Sequence, residues 1–257
     1  MREQELTSHL DALRTCIIRA LVGLAAGTVV SFFLVPEILY ALAMPYLKYA
    51  DSIGIGQSSL ISLSPSDTFQ MSLMIALLGG IGLSLPWILY QAWRFVSPGL
   101  YSNERRCLLA LAVPATVFFA IGAVFSYFVV LPAMVSFFHG YSTGLGFAPY
   151  WSASSYFEFS AMVIFLFGAA FEMPIVVVGL AWLGIVSPGL LTKYRRHAFV
   201  TIFIFAAIIT PPDVISQLMM ALPMVALYEI SILAARVLCS RRKGQAPSII
   251  GLDKGPN

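Results

Sequence analysis

Residues 155–185 read SYFEFSAMVIFLFGAAFEMPIVVVGLAWLGI, and the only charged side chains in this stretch are Glu158 and Glu172. An α-helix rises about 1.5 Å per residue, so about 20 apolar residues cross the hydrocarbon core of a bilayer. The apolar residues follow one another without the alternation that a barrel strand needs. The stretch therefore predicts a membrane-spanning α-helix, and the rest of the chain is interpreted from it.

The composition agrees with a membrane protein. The chain has 257 residues, of which 59% are hydrophobic and 11% charged, and its mean hydropathy is +0.87. A soluble domain carries about 25% charged residues. The first apolar run is too long for a cleavable signal segment, so we expect it to stay in the mature protein. The three cysteines form no CxxC pair, and we expect neither a metal nor another cofactor.

The chain contains six candidate membrane spans. The long, unalternating apolar runs favour helices, because a spanning helix satisfies its own backbone hydrogen bonds. We expect an all-α integral membrane protein with six transmembrane helices, of which the last two are short. The candidates are Ile17–Tyr40, Phe69–Trp93, Leu108–Phe138, Ser155–Ile185, Ala198–Thr210 and Val214–Val237.

The basic residues predict the orientation of these spans. Among the 15 lysines and arginines, only Lys48 lies between spans one and two, three and four, or five and six. The other 14 precede or begin span one, end or follow span six, or lie between spans two and three or four and five. Cytoplasmic loops carry the excess of Lys and Arg. We therefore expect both termini in the cytoplasm and two long outer segments, 41–68 and 139–154.

Local motifs place several helix boundaries. Ser64-Pro65-Ser66-Asp67 and Ser155-Tyr156-Phe157-Glu158 have the spacing of a capping box, and Ser187-Pro188 starts a further helical turn. Thr210-Pro211-Pro212-Asp213 must interrupt the helical structure, because proline cannot donate a helix hydrogen bond. GLAAG at 23–27 matches GxxxG, which could let another helix approach closely; because Gly is common in such helices, a packing role without partner specificity is the alternative.

Glu172 is the most unusual residue of span four, because apolar sequence surrounds it about halfway across the membrane. A carboxyl group at that depth costs a few kcal/mol unless it is neutral, paired or hydrated. Two interpretations stay open: a protonated Glu172 bonded to a neighbouring helix, or a polar point in a functional cavity. Pro174 removes a helix hydrogen bond and predicts a bend beside it.

Several stretches together resemble one family. The chain resembles TatC, the polytopic core of the twin-arginine protein translocase, over about residues 8–237. The residues that carry the resemblance are SHLDALR at 8–14, LPWILYQAWRFVSPGLYSNERR at 85–106, GAVFSYFVVLP at 122–132, FGAAFEMP at 167–174, GIVSPGLL at 184–191 and ITPPDVISQLMMALPMVALYEI at 209–230.

The resemblance implies a function in protein export. The family binds twin-arginine signal peptides and moves folded proteins across the bacterial inner membrane, driven by the proton-motive force. Its members act with TatA-like and TatB-like single-span subunits in the lipid bilayer, and we expect a homo-oligomer within a larger complex, without nucleic acid. Residues 1–237 are then one six-helix membrane domain, and 238–257 a polar cytoplasmic tail that we expect to be disordered.

The resemblance also implies site residues. The first cytoplasmic loop and the N-terminal segment of the family recognise the signal peptide, and Pro45 matches a structural proline of the outer loop. The signal-peptide positions are Asp11, Arg14, Phe95, Pro98, Leu100, Tyr101, Glu104 and Arg105, and the intramembrane polar or partner-contact positions are Glu172, Asp213 and Gln217. Glu104 is the acid of that loop, and carboxylates pair bidentately with the planar guanidinium of arginine.

The sequence departs from the family at two positions. The N-terminal motif of the family usually has Glu where this chain has Ala12, and Asp11 stands one residue earlier, about 100° away on a helix. Span two often carries Lys near the position of Met74. The alternative function is a small-molecule secondary transporter. A structural scaffold is also open, whereas the chain offers no nucleophile or metal set for an intramembrane enzyme.

Overall fold

The structure, a computed structural model, describes residues 2–52, 60–96, 112–147, 150–182, 184–210 and 214–244. Within these ranges the chain is helical, and its only β-type pairing is an isolated bridge between Ile61 and Ser152. The all-α class is confirmed. The helices are α1 Arg2–Phe33, α2 Val35–Ser52, α3 Asp67–Val96, α4 Ala112–Phe125, α5 Leu131–Gly144, α6 Ala153–Phe171, α7 Met173–Trp182, α8 Pro188–Lys193, α9 Arg195–Ile209 and α10 Val214–Gly244, and a π-helical segment, Ser126–Val130, joins α4 to α5.

Five stretches of the described chain are long and apolar enough to cross a membrane, so the protein is a multi-pass membrane protein. Helix α9 has 15 residues and is about 22 Å long, which is shorter than the hydrocarbon core. The five spans are Leu10–Phe33, Asp67–Ala92, Val113–Gly144, Ala153–Trp182 and Val214–Val237.

Two predicted spans have wrong limits. The first was expected to run to Tyr40, but α1 ends at Phe33 and α2 begins at Val35, because Pro36 cannot continue the hydrogen bonding of α1. The third was expected to end at Phe138, but α5 continues to Gly144. The last has the expected limits, Val214–Val237, but it is not short, because it lies within α10 of 31 residues. The Glu229 carboxylate on α10 pairs with Arg195 at 2.8 Å.

Two of the three predicted helix starts are confirmed. The Ser64 N–H donates to Oδ2 of Asp67 at 3.0 Å, and Ser187 Oγ accepts from the Leu190 N–H at 3.2 Å. The third is wrong, because α6 begins at Ala153 and Ser155 lies within it. Pro174 does interrupt span four, since α6 ends at Phe171 and α7 begins at Met173.

Helices α1 and α3 make the closest helix pair, and glycines allow their approach. A Cβ atom on Gly27 would lie 2.7 Å from the Gly80 carbonyl oxygen, and one on Gly23 would overlap the Trp87 ring. The indole N–H of Trp87 donates to the Arg19 carbonyl at 2.9 Å. The GLAAG glycines therefore pack against α3, which both interpretations of the match allow.

The core has two centres, which share α5 and α6. One lies between α5, α6, α9 and α10 and includes Met134, Phe167 and Met220. The other lies between α2, α3, α5 and α6 and includes Tyr46, Ile75 and Tyr156. Helix α1 packs mainly on α3 and exposes most of its apolar side chains, so it lies at the edge of the bundle.

The two segments predicted to be external are joined. The Ile61 N–H donates to the Trp151 carbonyl at 3.1 Å, and the Ala153 N–H donates to the Ile61 carbonyl at 2.9 Å. Pro45, which lies within α2, has no N–H for the Ala41 carbonyl four residues earlier. The Tyr127 hydroxyl from the π-helical segment donates to that carbonyl at 2.8 Å. Pro45 therefore leaves an acceptor that ties α2 to the bundle.

Candidate functional site

A cavity of about 380 Å³ opens between the first half of α1 and the last turns of α3. We call it the α1–α3 cavity. It lies at the end of this helix pair that carries Arg14, Arg19 and Arg94. Its lining comes from one face of each helix, because residues three and four apart lie side by side. The lining residues are Asp11, Ala12, Thr15, Cys16, Arg19, Gln91, Arg94 and Phe95.

Hydrogen bonds fix the two walls of the α1–α3 cavity. The Thr15 hydroxyl donates to the Asp11 carbonyl at 2.9 Å, within α1. The Cys16 thiol donates to the Gln91 carbonyl at 3.1 Å and so links the two helices. One turn further along α1, the bond from Trp87 to Arg19 holds the same pair together. These links give the cavity a defined shape before any ligand binds.

The α1–α3 cavity grades from an exposed, charged rim to a buried polar base. Asp11 and Arg19 are exposed, whereas Gln91 is only 2% exposed. The Nε2 atom of Gln91 has no hydrogen-bond partner among the described residues. One carboxylate and two guanidinium groups line the cavity, so a cationic ligand is attracted at Asp11 and repelled near Arg19 and Arg94.

The structure brings some of the predicted signal-peptide residues together. Asp11 and Phe95, from opposite helices, line the α1–α3 cavity, and Ala12 lines it beside Asp11. Arg14 is exposed on α1 and is not among the lining residues. Residues 97–111 lie outside the described part of the chain, and with them the predicted positions Pro98, Leu100, Tyr101, Glu104 and Arg105.

Glu172 lies at the break between α6 and α7, in the interior of the protein. Its side chain is 8% exposed, and neither carboxylate oxygen has a hydrogen-bond partner among the described residues. The break follows from Pro174, which cannot donate to the carbonyl four residues earlier. A buried and unpaired carboxyl group is costly in a membrane, so Glu172 is the candidate site of the bundle interior.

Two further polar positions, Gln217 and Asp213, were predicted inside the membrane, and only the first lies among the described residues. Gln217 on α10 donates from Nε2 to the Phe203 carbonyl of α9 at 3.1 Å and borders an apolar groove between the two helices. Asp213 lies in 211–213, outside the described residues. Met74, where the family often has Lys, is half-buried on α3.

One buried residue, Gln91, and one ion pair, Arg195 with Glu229, were not identified from the sequence. Gln91 stands in one of the quoted motifs but was not singled out, although a lone amide near the end of an apolar span is a usable indication. The pair between Arg195 and Glu229, at 2.8 Å, was also missed, because 34 residues separate its members. That pair holds the start of α9 against α10.

Comparison with known proteins assigns the chain to a family. The family described as Sec-independent protein translocase protein (TatC) matches residues 8–223. The TatC protein of Aquifex aeolicus is 36% identical over 243 residues, which cover 93% of this chain and 97% of the relative. The one of Desulforapulum autotrophicum is 36% identical over 245 residues, with 94% and 88% covered.

The fold agrees with a solved structure. The crystal structure described as the twin arginine translocase receptor TatC superposes with a TM-score of 0.80 at 37% sequence identity. The superposition covers 90% of this chain and 99% of the solved one. The likeness therefore extends over the helical bundle as a whole.

Proposed function

The chain belongs to the Sec-independent protein translocase protein (TatC) family, and we propose that it is the signal-peptide receptor of a twin-arginine translocase. Members of this family are translocase subunits and not enzymes. The observation that carries the proposal is the likeness to a solved twin-arginine translocase receptor over 90% of this chain. The α1–α3 cavity supplies a place where an acid, Asp11, meets the ligand.

The recognition of the ligand rests on carboxylates. Glu104 is the principal acid for the arginine pair of a signal peptide, and Asp11 adds a weaker contact from the rim of the α1–α3 cavity. Arg14, Phe95, Pro98, Leu100, Tyr101 and Arg105 form the surface around them. A charge-assisted hydrogen bond contributes about 1.5–3 kcal/mol, and exposed pairs weaken as salt increases.

The translocase that this receptor serves exports folded proteins across the bacterial inner membrane with the proton-motive force. TatA-like and TatB-like single-span subunits are its partners, and several copies of the chain assemble in the larger complex. Glu172, Asp213 and Gln217 are the polar contacts for these partners or for the assembly. Glu172 is buried without a hydrogen-bond partner among the described residues, which supports this role because a polar group of a partner subunit would relieve the cost.

The chain crosses the membrane six times, with both termini in the cytoplasm. The five long spans and the short α9 supply the six crossings, and local thinning of the bilayer accommodates a short helix. The distribution of Lys and Arg, 14 against one, supports the orientation. The α1–α3 cavity then opens to the cytoplasm, where signal peptides are presented.

Crosslinking to a synthetic signal peptide tests the receptor function. The parent chain in membranes should crosslink a twin-arginine peptide and not its lysine-lysine variant. Glu104→Ala should abolish the crosslink, Asp11→Ala should reduce it less, and Ala12→Glu should strengthen it. The amount of membrane-inserted protein is the control for each variant. Equal crosslinking by Glu104→Ala and the parent contradicts the assignment, and peptide-independent uptake of a small solute would favour a transporter.

A further inference from the structure

Gln91 has a buried side chain whose Nε2 atom makes no hydrogen bond within the described part of the protein. It lies on α3 at the base of the α1–α3 cavity and is only 2% exposed. Its main-chain carbonyl accepts the Cys16 thiol, so the helix is held in place there. The side-chain Nε2 atom has no partner among the described residues. A buried donor of this kind is costly unless water or a ligand satisfies it.

The α1–α3 cavity has room for such a partner. Its volume of about 380 Å³ compares with about 30 Å³ for one water molecule in the liquid. In the free protein, water can therefore reach the base of the cavity. A ligand that replaces this water must offer an acceptor to Gln91, because an amide NH₂ group only donates.

The chemistry of the cavity limits what this ligand group is. Arginine and lysine side chains carry donors and no acceptor, so the arginines of a signal peptide cannot bond to Nε2. An anionic acceptor is attracted by Arg19 and Arg94 and repelled by Asp11, all of which line the same cavity. Arg19 and Arg94 in turn repel a guanidinium from the interior. A peptide offers a neutral acceptor at each main-chain carbonyl, and none of these charges repels it.

We propose that Gln91 is a specificity residue for the signal peptide and donates from its side-chain amide to a main-chain carbonyl next to the arginine pair. The arginines then stay at the rim with Asp11, while the peptide main chain enters the α1–α3 cavity. This inference rests on the proposed receptor function. It adds one requirement to the recognition of the signal peptide: the ligand must present a free main-chain carbonyl to Gln91 as well as the positive charge of its arginine pair.

Alkylation of Cys16 tests whether the peptide enters the cavity. In the full chain with Cys107→Ser and Cys239→Ser, the Cys16 thiol lies in the same cavity as Gln91. A twin-arginine peptide at ten times its Kd should slow alkylation of Cys16 by a maleimide about tenfold. The lysine-lysine peptide at the same concentration should not slow it. Unchanged alkylation at saturating twin-arginine peptide places the ligand elsewhere and overturns the inference.

Gln91→Met tests the donor, because it keeps the length of the side chain and removes both N–H groups. Peptide binding should weaken about five- to tenfold, as expected for one neutral hydrogen bond. The alkylation rate of Cys16 without peptide is the control for the shape of the cavity and should stay at the parent value. Parental affinity in Gln91→Met overturns the inference.

A set of peptides with single ester bonds separates recognition from a structural effect. Each ester weakens one main-chain carbonyl as an acceptor, and the parent should lose affinity for several of these peptides. For one ester position, that loss should disappear in Gln91→Met, since the bond is already absent. If every ester costs the same in both proteins, Gln91 has no such contact. Glu104-dependent binding in that case leaves the receptor function standing, whereas no binding to the parent removes both.

Discussion

The two carboxylate oxygens of Glu172 are buried without a partner among the described residues, at a break that Pro174 imposes on the span. A group of this kind lowers the stability of the isolated subunit, because the cost of removing it from water is not recovered. Its presence is understandable if a partner subunit or a second copy supplies the missing hydrogen bond. Stability and function then make opposite demands on the same residue.

We predict that Glu172→Leu separates these demands. The free energy of unfolding of the detergent-solubilised protein should rise by about 1–3 kcal/mol, since an unsatisfied polar group is removed. Export of a reporter with a twin-arginine signal peptide should fall about tenfold or more with Glu172→Leu and less with Glu172→Gln. Glu158→Gln, on the same membrane span, is the matched control and should change neither. Normal export by Glu172→Leu would mean that the residue has no role in transport.

Helices α1 and α3 are the element pair on which the candidate site depends, and their separation is set by glycines. A Cβ atom on Gly80 would lie 2.5 Å from Cα and 2.6 Å from N of Thr28. Main-chain atoms cannot move aside as a flexible side chain can, so any larger residue there forces the helices apart. Because both walls of the α1–α3 cavity belong to these helices, the same change alters the cavity.

Gly80→Ala should therefore destabilise the protein by about 1–3 kcal/mol, which is the usual cost of overpacking. Thermal unfolding in detergent measures the loss. Gly140→Ala is the matched control, because nothing lies within 4 Å of its added Cβ and alanine favours the helix. Equal stability of Gly80→Ala and the parent would show that the two helices are not packed as closely as described.

At the scale of the whole molecule, the distribution of charge and the arrangement of the helices make one testable statement about orientation. The Lys and Arg residues collect at one end of the predicted bundle, and the joined segments around Ile61 and Trp151 belong to the other end. A membrane protein inserts so that its loops richest in Lys and Arg stay on the cytoplasmic side. Accessibility to a reagent outside the cell measures this directly.

In a background without the native cysteines, an impermeant thiol reagent on intact cells should label Gly144→Cys and spare Ser102→Cys. The side chain at position 144 has open space, since nothing lies within 4 Å of a Cβ there. Labelling after cell lysis is the control that both thiols can react. The opposite pattern in intact cells would exclude the six-span arrangement.

The sequence by itself determined the class of the protein, its apolar spans and most of their ends. These properties depend on local chemistry: apolar length sets a span, Ser64 with Asp67 starts a helix, and Pro174 stops one. Helix limits failed where apolar length does not mark the end of a helix. Helix α1 ends at Phe33 although largely apolar sequence continues to Tyr40, and α5 continues past Phe138 to Gly144.

Only the tertiary structure decided which residues share a site. Asp11 and Ala12 were expected to point about 100° apart, yet both line the α1–α3 cavity, because a concave surface between two helices takes in more than one direction. Gln91 acquires its importance from burial beside Cys16, which is 75 residues away along the chain. The packing of α1 on α3 brings these residues together. The residue pattern within one segment cannot predict such contacts, because it depends only on neighbours along the chain.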